Sequence, residues 1–158
     1  MFKKLTFAAA VLATAAFAAP SFAQTFSPST GTVTGSGPVK LFQTMTVDCT
    51  ASVTANLAGS TASVPSRSIS GPGLCFLVVP YGTWSLATIP GVTNQVRMTI
   101  GANTVTNKPC YGTIDVAYNS ATSRITFNNN VLPAVNAGDP SCTIIQGYIT
   151  ITPSVAIL

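Results

Sequence analysis

The stretch Thr44 to Leu57, TMTVDCTASVTANL, alternates without a break. Met45, Val47, Cys49, Ala51, Val53, Ala55 and Leu57 hold one parity, and Thr44, Thr46, Asp48, Thr50, Ser52, Thr54 and Asn56 the other. A period of two suits a pleated strand with one buried face, because successive side chains leave a strand on opposite sides; a helix would need a period of 3.6. Val39 and Leu41 carry the apolar parity backwards, and Gln43 interrupts it. The run from Val39 to Leu57 exceeds an ordinary strand, so it predicts two strands, or one long strand bent near Gln43. The odd positions are expected to fill a core and the even ones to form a hydroxyl-rich outer face.

Weaker alternation recurs at Val96–Ile100, Ile114–Tyr118, Ile125–Phe127 and Ile149–Thr152. Between these runs stand turn-forming groups such as Ser70-Gly71-Pro72-Gly73, Pro80-Tyr81-Gly82, Pro90-Gly91, Gly101-Ala102-Asn103, Asn128-Asn129-Asn130 and Gly138-Asp139-Pro140. Short strands punctuated in this way predict an all-β, antiparallel β-sandwich, Ig-like or jelly-roll-like. The chain has no Glu and is rich in Thr, Val and Ser, which suit a half-buried pleated surface. Residues 24–37, QTFSPSTGTVTGSG, carry only Phe26 and Val33 as large apolar side chains. They are expected to form a flexible arm or a loose edge strand ahead of a single domain over 38–158.

The amino terminus predicts export. Met1-Phe2-Lys3-Lys4 is basic, Leu5 to Ala19 is apolar, and Ser21 and Ala23 are small where a signal peptidase needs them, just before Gln24. A signal peptide over 1–23, cut between Ala23 and Gln24, leaves 135 of the 158 residues, enough for one core. The expected location is extracellular or at the cell surface, with the periplasm as the other exported compartment. The remainder has no apolar run long enough to cross a membrane as a helix; its longest is Leu74 to Val79.

Four cysteines follow the expected cut, an even count that reads as two disulfides in an exported chain. A metal site is disfavoured, since no Cys-x-x-Cys pair and no His occur. Of the three pairings, Cys49–Cys75 and Cys110–Cys142 are favoured, because sequence neighbours in a chain of hairpins tend to be spatial neighbours.

Little here suggests catalysis. Without His or Glu the usual general bases are missing. Asp48 and Asp115 lie on the polar parity of predicted strands, and Asp139 lies in a turn, where Asp bonds its own backbone. The reading is a non-enzyme with no cofactor. Lys40, Arg67, Arg97, Lys108 and Arg124 are scattered, so no patch exists for a phosphate backbone, and nucleic acid is not expected as a partner. Two segments suggest contact instead. Phe76, Leu77, Tyr81 and Trp84 form either a core strand with a turn or an apolar contact surface with Tyr81 and Trp84 at its mouth. The end of the chain, GYITITPSVAIL, is either a last core strand or an edge open to another subunit.

VDCTASVTANLAG, GLCFLVVPYGTWSLATI, PCYGTIDVAYNSATSRITFNNNVLP and SCTIIQGYITITP together resemble the exported protein activator of alkane oxidation family, of PraA/PraB type. The most telling positions are Cys110 with Gly112, Ile125 to Pro133, and Cys142 with Gly147 and Pro153. The resemblance implies a small secreted β protein that promotes growth on long-chain alkanes by helping cells contact or disperse them. It implies that the four cysteines match those of the family, and it supplies no catalytic residues. The expected partners are long-chain alkanes or other hydrophobic surfaces, and further copies of the chain. Only eight charges after residue 23 offer little repulsion against association. The alternative is therefore a structural subunit of an extracellular fibre, biofilm matrix or cell-surface layer. Assembly by strand donation would need a regular row of large apolar residues in 24–37, which that segment lacks.

Overall fold

The computed structural model describes residues 23–158. All of the expected signal segment except Ala23 lies outside the described residues. The chain then runs through β1 (Phe26–Ser27), β2 (Thr30–Phe42), β3 (Thr46–Ala58), β4 (Thr61–Ser70), β5 (Val79–Pro80), β6 (Trp84–Ile89), β7 (Val92–Asn103), β8 (Pro109–Asn119), β9 (Arg124–Leu132), β10 (Cys142–Thr152) and β11 (Ala156–Ile157). A 3₁₀ turn, Cys75–Leu77, precedes β5.

Strands β2, β3, β4, β6, β7, β8, β9 and β10 pair in that order, each antiparallel to the next. Then β10 returns to β2, with Thr152 opposite Thr34 and Gly147 opposite Val39. The sheet is closed into an eight-stranded up-and-down barrel. This corrects the expected sandwich. A period of two says only that one face of a sheet is buried; it does not say whether that face packs on a second sheet or on its own far side. Pairing of the first long strand with the last decides the matter. Two glycines make that seam close: a Cβ on Gly37 would stand 1.9 Å from the Tyr148 carbonyl oxygen, and one on Gly147 2.5 Å from that of Pro38.

The opening segment is also corrected. Residues 30–37 are the first half of β2, bonded to β3 on one side and β10 on the other, so they are neither an arm nor an edge. Gly35 and Gly37 face inward there. Their lack of side chains hid the strand from a reading based on large apolar residues. The alternating stretch behaves as two strands joined by a turn at Gln43–Met45. Cys49, Ala51, Ala55 and Leu57 are buried on its inner face, while Met45, expected in the core, is 44% exposed because it belongs to the turn.

The two ends of the barrel differ. At one, β1 and β11 form a short ribbon, with Phe26 opposite Ile157, that closes the opening; Phe26, Val155 and Ile157 are all buried. The carboxyl-terminal segment is therefore paired within the chain. The other end carries the turns β2–β3, β7–β8 and β9–β10 and the long β4–β6 connection, and we call it the mouth. The disulfides Cys49–Cys75 and Cys110–Cys142 lie at this end, with Cα atoms 5.6 and 5.9 Å apart. The barrel wall is apolar inside and rich in Thr, Ser and Asn outside, the reverse of a lipid-facing barrel. Among the described residues no helix is long and apolar enough to cross a membrane.

Candidate functional site

Between β4 and β6 the chain leaves the wall and crosses the mouth as residues 71–83. It cannot lie slack. Cys75 is fully buried and tied to Cys49 on β3, and Val78 is buried beside it. The 3₁₀ turn holds the segment locally, with Leu77 N–H donating to Leu74 O at 3.1 Å and Val78 N–H to Cys75 O at 3.0 Å. Farther on, Val79 and Pro80 pair with Asn103 and Ala102 of β7, and Tyr81 N–H donates to Gly101 O at 2.9 Å. The Tyr111 hydroxyl donates to Thr83 O at 2.8 Å, and its ring meets that of Tyr81 edge-on at 6.2 Å. Gly82 is required here: it sits at φ +69°, and a Cβ would stand 2.4 Å from the Tyr111 ring.

With the segment fixed by Cys75 and Val78, the neighbouring side chains turn outward. Phe76 is 71% exposed and Val79 54%, and Leu74, Leu77 and Tyr81 are exposed as well. Phe42 and Met45 are exposed at the β2–β3 turn of the same end. Val131 and Val135 stand out near the β9–β10 loop. Of the ten exposed large apolar side chains among the described residues, nine lie at the mouth, and only Leu158 lies at the plugged end. Scattered apolar side chains are ordinary on a protein surface; their concentration at one end is not.

The structure therefore brings Phe76, Leu77 and Tyr81 together on one exposed segment. It separates Trp84 from them. Trp84 is buried in the barrel, its indole Nε1 donating to Gly101 O at 3.0 Å and Tyr81 O at 3.1 Å, and Arg67 lies 5.8 Å from its ring. As the first residue of β6 it points inward, a fact that strand phase determines and composition does not. Sequence reasoning missed Phe42 and Met45, and it noted Leu74 and Val79 as part of an apolar run without naming them as contact residues. Phe42 stands on the polar parity of its strand, which was the available signal.

Charged groups neutralise one another on the wall and, for Lys108 and Asp139, between two connections of the mouth. Lys40 meets Asp48 at 3.3 Å, Arg97 meets Asp115 at 2.8 Å, and Lys108 meets Asp139 at 3.1 Å. Hydrogen bonds from Arg97 hold the Asp115 carboxyl below its ordinary range, and those from Lys108 and Asn136 do the same for Asp139. Arg124 stacks over Tyr148 at 4.1 Å. Asp115 and Asp139 are thus held ionised beside a cation, a poor arrangement for donating or taking a proton near neutral pH.

A family model described as alkane oxidation protein activator PraA/PraB-like matches residues 1–158, the whole chain. The chain belongs to this family. Its description names an activator of alkane oxidation, a role compatible with a protein that does not itself catalyse. No curated protein and no solved structure matches this chain. What this family member presents at its surface is set by its own residues.

Proposed function

We propose that this alkane oxidation activator is an exported, non-enzymatic protein that attaches mouth-first to hydrocarbon surfaces and so assists contact with, or dispersal of, long-chain alkanes. The observation that carries the reading is the collection of exposed apolar side chains at one end of an otherwise hydroxyl-faced barrel. Such a body has one end that leaves water favourably, at roughly 25 cal/mol per Å² of apolar surface covered, and sides that stay hydrated. Fixing residues 71–83 by a disulfide and by β5 removes much of the ordering cost that a flexible contact segment would carry. The low charge of the chain adds little repulsion between neighbours on a droplet.

Shaking the oxidised protein with dispersed hexadecane, beside an inert β domain of similar size and charge, tests this directly. Saturable depletion from the aqueous phase is expected, and it should fall severalfold in Phe76→Ser/Leu77→Ser. Equal depletion by that variant would remove the rim as the contact. No depletion beyond the control would remove hydrocarbon contact altogether. The same rim would then favour the second reading, a subunit that associates with copies of itself in a fibre, matrix or surface layer, which sedimentation of the protein and the variant would test.

A further inference from the structure

Gln43 interrupts the apolar parity of the alternating segment, and the structure shows what it does. It is a polar side chain only 6% exposed, at the β2–β3 turn, yet its partners come from other corners of the mouth. Its Nε2 donates to Pro140 O at 2.9 Å and Lys108 O at 3.3 Å, in the β9–β10 and β7–β8 connections. Its Oε1 accepts from the hydroxyls of Thr106, at 2.9 Å, and Thr104. In the closed ring of strands β2 lies opposite β7, so these bonds carry the β2–β3 turn over the mouth. A Leu here would have continued the pattern and made an apolar lid. Gln makes bonds that water can replace one by one, which is what a lid that opens requires.

Beneath this turn the barrel is not filled. A cavity of about 60 Å³ lies toward the mouth and one of about 40 Å³ toward the plug, both within apolar walls. Trp84, Met98 and Ile149 border both, so the two lie end to end. Small inward residues, Ala51 above and Ala55 and Ala62 below, leave the room. Phe26 and Val155 of the plug line the lower cavity and close it. Phe42 and Met45 line the upper one while being 42% and 44% exposed, so that cavity reaches the surface at the mouth. Gln43, Thr104 and Thr143 bring polar side chains to the upper lining, and in the lower one the Tyr118 hydroxyl is already bonded to Val155 O.

We propose that the barrel interior is a binding site for the end of an unbranched alkyl chain, entered past the Gln43 latch. The walls offer nothing to a head group, so only hydrocarbon can occupy them. Each cavity is smaller than the ~150 Å³ known to hold a benzene ring, so only the end of a chain enters, and the end-to-end arrangement of the two suits an unbranched end rather than a ring or a branched one. Met98, an unbranched and adaptable side chain at the constriction, can move aside to join the two cavities. The rest of the chain would leave through the mouth, across Phe42 and Met45. The proposal extends the rim-contact reading, since a rim on a hydrocarbon surface would deliver the chain, but it is tested without any such surface.

Trp84 is the sole tryptophan and stands between the two cavities, so its emission reports their occupancy. The oxidised protein is titrated with n-octane, 1-decanol and decanoate below their droplet or micelle limits, with 2,2,4-trimethylpentane as the branched control. A saturable change at one chain per barrel is expected from linear chains and not from the branched one. Response to octane identifies an alkane site; response to decanol and decanoate alone identifies an acyl-type amphiphile with its head at the mouth. Ala51→Leu should weaken binding at least tenfold while leaving adsorption to hexadecane droplets unchanged. Ala51→Val, a smaller filling, should weaken it less and guards against a folding defect. Gln43→Ala should raise the association rate severalfold. No saturable response to any linear chain, an equal response to the branched one, or full binding by a folded Ala51→Leu would overturn the proposal. Loss of droplet adsorption in Phe76→Ser/Leu77→Ser with chain binding intact would separate the rim from the interior.

Discussion

The two ends of this barrel solve the same problem in opposite ways. Both expose the open edge of a closed sheet, and both must cover an apolar interior. The plugged end turns Phe26, Val155 and Ile157 inward beneath the β1–β11 ribbon, backed by the Tyr118 and Ser123 hydroxyls, which both donate to Val155 O. The mouth turns polar Gln43 inward and apolar Phe76, Leu77 and Val79 outward. A structure selected for stability alone would not invert its polarity at one end. The inversion, stapled by Cys49–Cys75, is the feature on which the proposed contact at the mouth rests, while the plug buries its apolar side chains in the ordinary way.

That contrast can be broken by experiment. The largest effect is expected from Cys49→Ser/Cys75→Ser, which releases a 26-residue link and should cost about 3.5 kcal/mol in chemical denaturation. It should also make the segment from Leu74 to Tyr81 a site of rapid chymotryptic nicking; resistance there would mean that β5 and the 3₁₀ turn hold the segment unaided. Next comes Phe26→Ala, which removes a buried ring from the plug and should cost about 3 kcal/mol. The same change at Phe76 should stay within about 0.5 kcal/mol, and equal costs would erase the distinction between the ends.

A smaller effect is expected at Tyr118. Burial raises its phenol above the ordinary value of 10.0, so the folded barrel favours the neutral form. Its contribution is complete below the unfolded-state value and is lost as pH rises through the raised folded one. Stability should therefore fall in the alkaline range beyond pH 10.0. Tyr118→Phe should lower stability by about 1 kcal/mol at neutral pH and flatten that fall. An unchanged alkaline profile in the variant would place the responsible group elsewhere.

Much of the wall was legible in advance. A strand announces itself through nearest and next-nearest neighbours, so β3 could be read from TMTVDCTASVTANL alone. The runs that became β7, β8, β9 and β10 were visible too, through weaker alternation. Where inward residues were glycines, as at Gly35 and Gly37 of β2, the signal vanished, because alternation is seen only through side chains. The exposed segment was half legible. Phe76 and Leu77 stood out as apolar, but which neighbours would turn inward depended on Cys75 and Val78 being anchored from below.

By itself, then, the sequence determined an all-β chain with one apolar parity, little charge and a concentration of apolar residues from Leu74 to Tyr81, because these follow from local spacing and composition. The tertiary structure alone decided that β10 meets β2, since closure joins residues about as far apart as the chain allows. It decided that Trp84 lies inside and that Gln43, an apparent flaw in the pattern, spans the mouth. Those outcomes depend on which distant groups meet across the barrel, and no local period carries that information.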